Sequence, residues 1–132
     1  IMKIFLAGHK GLVGSAILRK LKEKNYKNIL TIDKKKLNLL NQNSVNKFIK
    51  KKNPKIIIIA AARVGGVLHN NNHGADFIYE NLQIQNNLIH AGFKNKVKKI
   101  IFLGSSCIYP KNSKQPIKEK YLLTGKLEET NE

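Results

Sequence analysis

The sequence predicts an α/β protein whose parallel sheet is covered by helices on both faces. Apolar runs alternate with stretches of helical spacing along the chain, which is the order of an open, doubly wound sheet. The run over 56–62 is apolar without alternation, as in a strand that is buried on both faces. Three glycines, Gly8, Gly11 and Gly14, lie where the first strand turns into the first helix. Together these observations indicate a Rossmann-like sheet.

Each element has a local signal. Leu12, Ile17 and Leu21 recur at helical spacing after the glycine turn. Ser44 is a suitable N-cap for a second helix, and Asn53 before a proline stops that helix. The predicted elements are, in order, a strand over 2–7, a helix over 12–24, a strand over 29–32, a short third strand over 37–40, a helix from Ser44 to Asn53, a strand over 56–62, a helix over 75–91 and a strand over 100–103.

The glycine turn predicts a phosphate site. Such a turn leaves backbone N–H groups pointing out of a helix N-terminus, where the helix dipole favours a pyrophosphate. The missing side chains let the phosphates come close to the backbone. An ordinary tight turn between a strand and a helix is the alternative interpretation. The position of the turn, after the first strand and before an amphipathic helix, favours dinucleotide binding.

The length of the chain and its cysteine content limit the classes of protein to which it can belong. The 132 residues are expected to form one NAD(P)-binding domain over 1–132. Nothing resembles a signal peptide, and the N-terminal apolar run ends at Gly8, well short of the roughly 20 residues that a membrane span needs. The single cysteine, Cys107, excludes an internal disulfide framework, and no metal-ligand spacing occurs. We therefore expect a cytoplasmic protein with no metal and no membrane partner.

The net charge of +17 raises the question of nucleic-acid binding. Of the 25 basic residues only Arg19 and Arg63 are arginines, and the lysines are scattered along the chain. Nucleic-acid modules usually bring arginines for bidentate contacts and exposed aromatic side chains for stacking. We therefore expect salt-sensitive adhesion to polyanions but no specific nucleic-acid partner.

Four segments are expected to meet at one edge of the sheet. The glycine turn, Asp33 and the stretches 60–66 and 104–109 each follow a predicted strand. In a parallel sheet the carboxyl ends of the strands lie at the same edge, and ligands bind there. The sequence therefore predicts one ligand site that is built from all four.

Four stretches resemble one family. GHKGLVGS at 8–15, AAARVGG at 60–66, ADFIY at 75–79 and GSSCIYP at 104–110 are similar to GDP-L-fucose synthases, which are extended short-chain dehydrogenases/reductases. The resemblance runs from Met2 to the last residue. It implies NADPH-dependent epimerisation and 4-keto reduction of GDP-4-keto-6-deoxy-D-mannose. It also implies a GDP-sugar substrate and a homodimer for the full-length protein.

The resemblance assigns roles to the GSSCIYP stretch. Ser105 would hydrogen-bond the C4 carbonyl oxygen of the substrate and polarise it. Cys107 would exchange protons beside the ketone in the epimerisation, and Ser106 would contact the substrate. The alternatives are that both serines only cap the loop and that Cys107 is a small buried apolar residue. The expected cofactor-binding residues are Gly8, Lys10, Gly11, Leu12, Val13, Gly14, Asp33, Lys34, Ala60, Ala61, Ala62, Leu103, Gly104 and Ser105.

Two signals for the cofactor conflict. Asp33 at the end of the second strand would accept hydrogen bonds from an adenosine ribose and repel a 2′-phosphate, which favours NAD. The family resemblance implies basic side chains for that phosphate at Lys10 and Lys34. With further positive charge from Lys35 and Lys36, the sequence favours NADP, and NAD is the alternative.

One element of the family pattern does not occur in these residues. The family delivers hydride beside a Tyr-x-x-x-Lys pair, and no tyrosine here is followed four residues later by lysine. By the resemblance, that pair would fall just beyond Glu132, with the last strands and the substrate domain. We therefore expect an incomplete Rossmann-like domain, the N-terminal part of a synthase. The alternatives are a catalytically silent NAD(P)-binding module and a truncated epimerase/dehydratase-like protein.

Overall fold

The computed structural model describes residues 2–65 and 72–129, which form two compact units. The first contains the described residues up to Val64 together with Ala75–Leu103. The second contains Gly65, 72–74 and 104–129. Each unit is described on its own below.

All four strands belong to the first unit. In chain order the elements are β1 (Ile4–Ala7), α1 (Leu12–Glu23), β2 (Ile29–Leu30), α2 (Gln42–Lys52), β3 (Ile56–Ile59), α3 (Gly74–Lys94) and β4 (Lys99–Phe102). The second unit holds two short 3₁₀ turns, Ser106–Ile108 and Glu119–Tyr121. The predicted α/β class with a parallel sheet is confirmed.

The sheet has the strand order β2-β1-β3-β4, with every pair parallel. Ile4 of β1 lies opposite Ile29 on one side and Ile56 on the other. After β2 the chain crosses to the far side of β1, so the direction of winding reverses between β1 and β3. The carboxyl ends of these two strands therefore flank the crevice where ligands bind in such sheets.

Alternating residues of β1 supply the two faces of the core. Phe5 and Ala7 pack with residues of α2 and α3, whereas Ile4 and Leu6 pack with the face covered by α1. All four residues of β1 are buried, which explains why the strand reads as a continuous apolar run.

Two local predictions are wrong. The stretch 37–40 is not a strand: Leu37 is buried in the core from within a loop, so its apolar character reflects burial and not sheet pairing. The N-cap of α2 is Asn41 and not Ser44; the Asn41 side chain accepts a hydrogen bond from the Ser44 N–H at 2.8 Å. The predicted stop at Asn53 is correct, since Asn53 is the left-handed C-cap of α2.

Candidate functional site

The turn after β1 requires glycine at Gly8. Its φ of +88° lies in the region that side chains disfavour. A Cβ there would also lie 2.6 Å from the Ala60 carbonyl carbon and from the Ala61 nitrogen. Gly8 therefore lets the ends of β1 and β3 approach each other closely.

Packing requires glycine at only one of the other two glycine positions of the turn. A Cβ on Gly14 would overlap the carbonyl oxygen of Gly8 and lie 2.7 Å from its carbonyl carbon. A Cβ on Gly11 would meet only the Gly8 oxygen, at an ordinary 3.5 Å, and the Gly11 φ is −72°. Packing thus accounts for Gly14 but leaves Gly11 unexplained. Close approach of a ligand to the backbone accounts for Gly11, and in this respect the turn fits a dinucleotide pyrophosphate.

Gly11 is also the N-cap of α1. It offers no side-chain cap, and the first turn of α1 carries no acidic residue. The Ser15 N–H donates to the Gly11 carbonyl at 2.9 Å and the Gly11 N–H to the Gly8 carbonyl at 3.1 Å, so the N–H groups over 12–14 are the ones without a helical partner. This end of α1 therefore presents donors and a positive dipole end with no carboxylate to compete.

A cleft of about 550 Å³ opens beside this turn within the first unit. Its volume is that of a small-molecule or cofactor site. Predicted site residues from three strand ends meet in it. They are Gly8, Lys10, Gly11, Asp33, Lys34, Ala60, Ala61 and Ala62.

Asp33 has basic neighbours in the cleft. Lys10 Nζ lies 2.7 Å from Asp33 Oδ1, and His9 Nε2 lies 3.6 Å from the same oxygen. The hydrogen bond from Lys10 lowers the pKa of Asp33. Desolvation partly opposes this shift, and the electrostatic effects of Lys10, His9 and Lys36 on the carboxylate reinforce it. Asp33 is therefore a carboxylate at neutral pH, and its charge is compensated by Lys10.

The remaining predicted cofactor residues of the first unit are not among the residues that line the cleft. Leu12 and Val13 are exposed in the first turn of α1, with 91% and 52% of their surface accessible. Gly14 is buried under the glycine turn. Leu103 follows β4 and donates its N–H to the Ile59 carbonyl at 3.3 Å.

The second unit holds the predicted substrate residues. Ser105 is the N-cap of the turn Ser106–Ile108, and its Oγ accepts a hydrogen bond from the Cys107 N–H at 3.2 Å. This hydrogen bond is the loop-capping role that the sequence analysis gave as the alternative to a catalytic role for Ser105. Cys107 is exposed, so the alternative of a buried apolar residue is wrong. Ser106 and Cys107 line a small cavity of about 240 Å³, and Gly104 precedes them in the loop.

A wider cleft of about 1010 Å³ also lies in the second unit. Four lysines line it, and one of them, Lys111, pairs with Glu128 at 2.8 Å. It contains none of the predicted site residues, so its size alone does not make it the functional site.

Sequence reasoning missed several cleft residues. Arg63 follows the alanines of the β3 end directly, so its position after a strand was the available signal. Glu80 comes from α3, and nothing in the local sequence connects it with β3. The apolar wall was missed as well; it consists of Phe5, Ala7, Ile32, Leu37, Leu39 and Ile84.

The described residues contain neither a metal-ligand cluster nor a helix suited to a membrane. In 2–65 and 72–129, no cluster of three or more His, Cys, Asp or Glu side chains is arranged to hold a metal ion. Over the same ranges, no helix combines the length and the apolar character that crossing a membrane requires.

Comparison with known proteins identifies the family. The model of the NAD dependent epimerase/dehydratase family matches residues 4–132. The chain belongs to this family. Membership agrees with the parallel sheet and with the glycine turn at the switch point between β1 and β3.

Within the NAD dependent epimerase/dehydratase family, the chain is similar to GDP-L-fucose synthases. It is 54% identical over 130 residues to "Putative GDP-L-fucose synthase 2" of Arabidopsis thaliana, covering 98% of this chain and 40% of that protein. It is 48% identical over 130 residues to the GDP-L-fucose synthase of Escherichia coli K12, again covering 98% and 40%. The resemblance stated from the sequence is confirmed. The chain spans about 40% of the length of these relatives.

A solved structure is similar as well. The GDP-mannoheptose C4 reductase MlghC from Campylobacter jejuni, with NADP bound, superposes with a TM-score of 0.91 at 44% identity. The similarity covers 98% of this chain and 41% of the reductase.

Proposed function

We propose that this chain is the dinucleotide-binding part of a GDP-L-fucose synthase that uses NADPH. The observation that carries the proposal is 48–54% identity to such synthases over nearly the whole chain. The glycine turn, with Gly11 free of any packing demand, supports the nucleotide half of the proposal. NADP bound to the similar Campylobacter reductase supports the choice of cofactor.

The whole protein would convert GDP-4-keto-6-deoxy-D-mannose by epimerisation and 4-keto reduction. NADPH supplies the hydride when bound. In this chain the backbone N–H groups of the first turn of α1 would hold the pyrophosphate, and Gly8 and Gly11 would leave room for it beside the backbone. The apolar wall of the cleft would exclude water beside the cofactor.

Ser105 and Cys107 are proposed to act on the substrate. Ser105 would donate its hydroxyl proton as a hydrogen bond to the C4 carbonyl oxygen and stabilise the charge that develops there. Its Oγ accepts the Cys107 N–H, and an accepting hydroxyl retains its own proton for donation. The exposed Cys107 thiol is accessible for proton exchange beside the ketone, and Ser106 would contact the substrate.

We expect Lys10 and Asp33 to set the preference between the two dinucleotides. Lys10 is 72% exposed and can reach a 2′-phosphate, whereas Asp33 repels that phosphate and accepts from a free ribose. The K10A variant should bind NADP roughly tenfold more weakly and NAD no more weakly than the wild type, because one charge-assisted hydrogen bond is lost. The D33N variant should shift the preference further toward NADP.

Isothermal titration of the wild type, K10A and D33N with NADP and NAD measures these preferences. K24A is a matched control, since Lys24 carries the same charge at the far end of α1. Equal loss of NADP affinity in K10A and K24A would contradict a specific role for Lys10. Tighter binding of NAD than of NADP by the wild type would overturn the proposed cofactor preference.

A second candidate is a catalytically silent NAD(P)-binding module or a truncated member of the family. The observation that favours it is the lack of a Tyr-x-x-x-Lys pair within the 132 residues. Dinucleotide binding is common to both candidates, so titration tests that shared part. The activity measurements in the Discussion separate them.

A further inference from the structure

Helix α3 reaches two separate loops through asparagine side chains. Asn81 Oδ1 accepts a hydrogen bond from the Arg63 N–H at 2.7 Å, and Asn81 Nδ2 donates to the Arg63 carbonyl at 3.0 Å. Asn87, which is only 2% exposed, donates from Nδ2 to the Leu39 carbonyl at 2.8 Å. Both Arg63 and Leu39 line the cleft beside the glycine turn.

The two loops need partners from outside. Arg63 lies beyond Ile59, the last residue of β3, so no strand pairing satisfies its peptide groups. Leu39 lies in the stretch that forms no strand. Asparagine side chains on α3 supply hydrogen bonds that a neighbouring strand would otherwise make. Asn81 is 18 residues from Arg63 in the sequence, and Asn87 is 48 residues from Leu39.

Arg63 is held by its side chain as well. Its Nη1 lies 2.6 Å from Glu80 Oε1, and its guanidinium carbon lies 4.9 Å from the centre of the Phe77 ring. Both partners belong to α3. One helix therefore fixes the backbone and the side chain of a single cleft residue.

Asparagine at these two positions of α3 is energetically unfavourable, and apolar packing alone does not offset the loss. It is a weaker helix former than leucine or alanine, and burying its amide is unfavourable without hydrogen-bond partners. Here every bond that offsets the cost ends on a loop that lines the cleft. The arrangement therefore serves the geometry of the cleft more than the stability of α3.

We propose that Asn81 and Asn87 are positioning residues for the dinucleotide cleft, which hold the loops at Arg63 and Leu39 from α3. This inference rests on the proposed dinucleotide function. A loosened loop must be ordered again when the ligand binds, and the ordering cost lowers the affinity. Asn81 is the better test position because it is half-buried, whereas Asn87 is fully buried and its loss threatens the fold.

The test compares N81A with two controls in the full chain. N86A removes the same amide from an exposed position of α3, and L21A opens a cavity on the α1 face, away from the cleft. Titration with NADP well below the melting temperature of each variant reports the affinity of the folded protein. Hydrogen exchange of the Arg63 amide reports the bracing directly.

We expect N81A to bind NADP roughly 5–10-fold more weakly, since a pair of hydrogen bonds to the Arg63 peptide is lost. The Arg63 amide should exchange at least about tenfold faster in the same variant. N86A should match the wild type, and L21A should lower the melting temperature without changing the affinity. This last variant separates positioning from stability.

Unchanged NADP affinity in a folded N81A would overturn the proposal, and so would equal losses in N81A and L21A. If the wild type binds neither NADP nor NAD, the proposed function fails. In that event the exchange rate of the Arg63 amide still decides whether Asn81 braces the loop. An unchanged rate would refute the bracing as well.

Discussion

The G14A variant should lose the native fold or most of its stability. A methyl group on Gly14 would overlap the Gly8 carbonyl oxygen, and neither partner is a flexible side chain that can move aside. Overpacking of this kind typically costs about 1–3 kcal/mol and more where backbone must shift, against a total stability of roughly 5–15 kcal/mol. Circular dichroism during thermal melting measures the loss.

The G11A variant is the matched control for this experiment. Its new methyl group would meet the Gly8 oxygen at 3.5 Å, and the extended backbone of this N-cap residue (φ −72°, ψ 168°) is one that alanine adopts without strain. We expect G11A to melt close to the wild type and yet to bind NADP roughly tenfold or more weakly, because the methyl group stands where the pyrophosphate approaches. A stable G14A, or a G11A with undiminished affinity, would contradict the assignment of the two glycines.

The 132 residues by themselves should not reduce a keto-sugar at an appreciable rate. No tyrosine in the sequence is followed four residues later by lysine, so no such pair can protonate the C4 alkoxide as hydride arrives. General acid–base assistance typically contributes about 10²–10⁴-fold. Oxidation of NADPH in the presence of GDP-4-keto-6-deoxy-D-mannose, measured beside the Escherichia coli synthase, should therefore show at least this deficit. Comparable turnover by the two proteins would refute our account.

A chimaera tests whether this chain can still serve an active site. In it, the chain replaces the 130 residues of the Escherichia coli synthase to which it is 48% identical. We expect the chimaera to regain NADPH oxidation and the S105A substitution in it to lower kcat roughly 10²–10³-fold, as the loss of one oxyanion donor does. T124A, which removes a hydroxyl group from the same unit but outside the cavity that Ser106 and Cys107 line, is the control. An inactive but folded chimaera that binds NADP would favour the silent binding module.

Local patterns predicted the parts of the fold that local physics decides. The apolar run of β3 and the glycine turn after β1 could be placed from the sequence. Burial on both faces requires a continuous apolar run, and close approach of two backbones requires glycine. The stretch 37–40 could not, since leucines at alternate positions look alike in a strand and in a buried loop. Its Leu39 carbonyl is bonded by Asn87, 48 residues away. No local signal reports such a partner.

The candidate site divides in the same way. Gly8 and Asp33 were expected because each follows a strand, and Lys10 because the family resemblance implies a basic side chain there; the cleft contains all three. The ion pair between Lys10 and Asp33 was not expected, although both residues were named as opposing signals. The sequence contains two charged residues that favour different cofactors. The structure brings Lys10 Nζ within 2.7 Å of Asp33 Oδ1, so the charge of one compensates that of the other.

The strand order has a consequence for the making of the protein. β1 is synthesised before β2 and β3, but its place between them is complete only after Ile59 has been synthesised. The glycine turn after β1 is completed at the same stage, because Gly8 packs against Ala60 and Ala61. Parallel strands that are far apart in the sequence can pair only after a long loop has closed, and the entropy lost in closing it makes folding slow. During this interval the nascent chain exposes β1 as an unpaired apolar strand, which is a site for aggregation until β3 has been made.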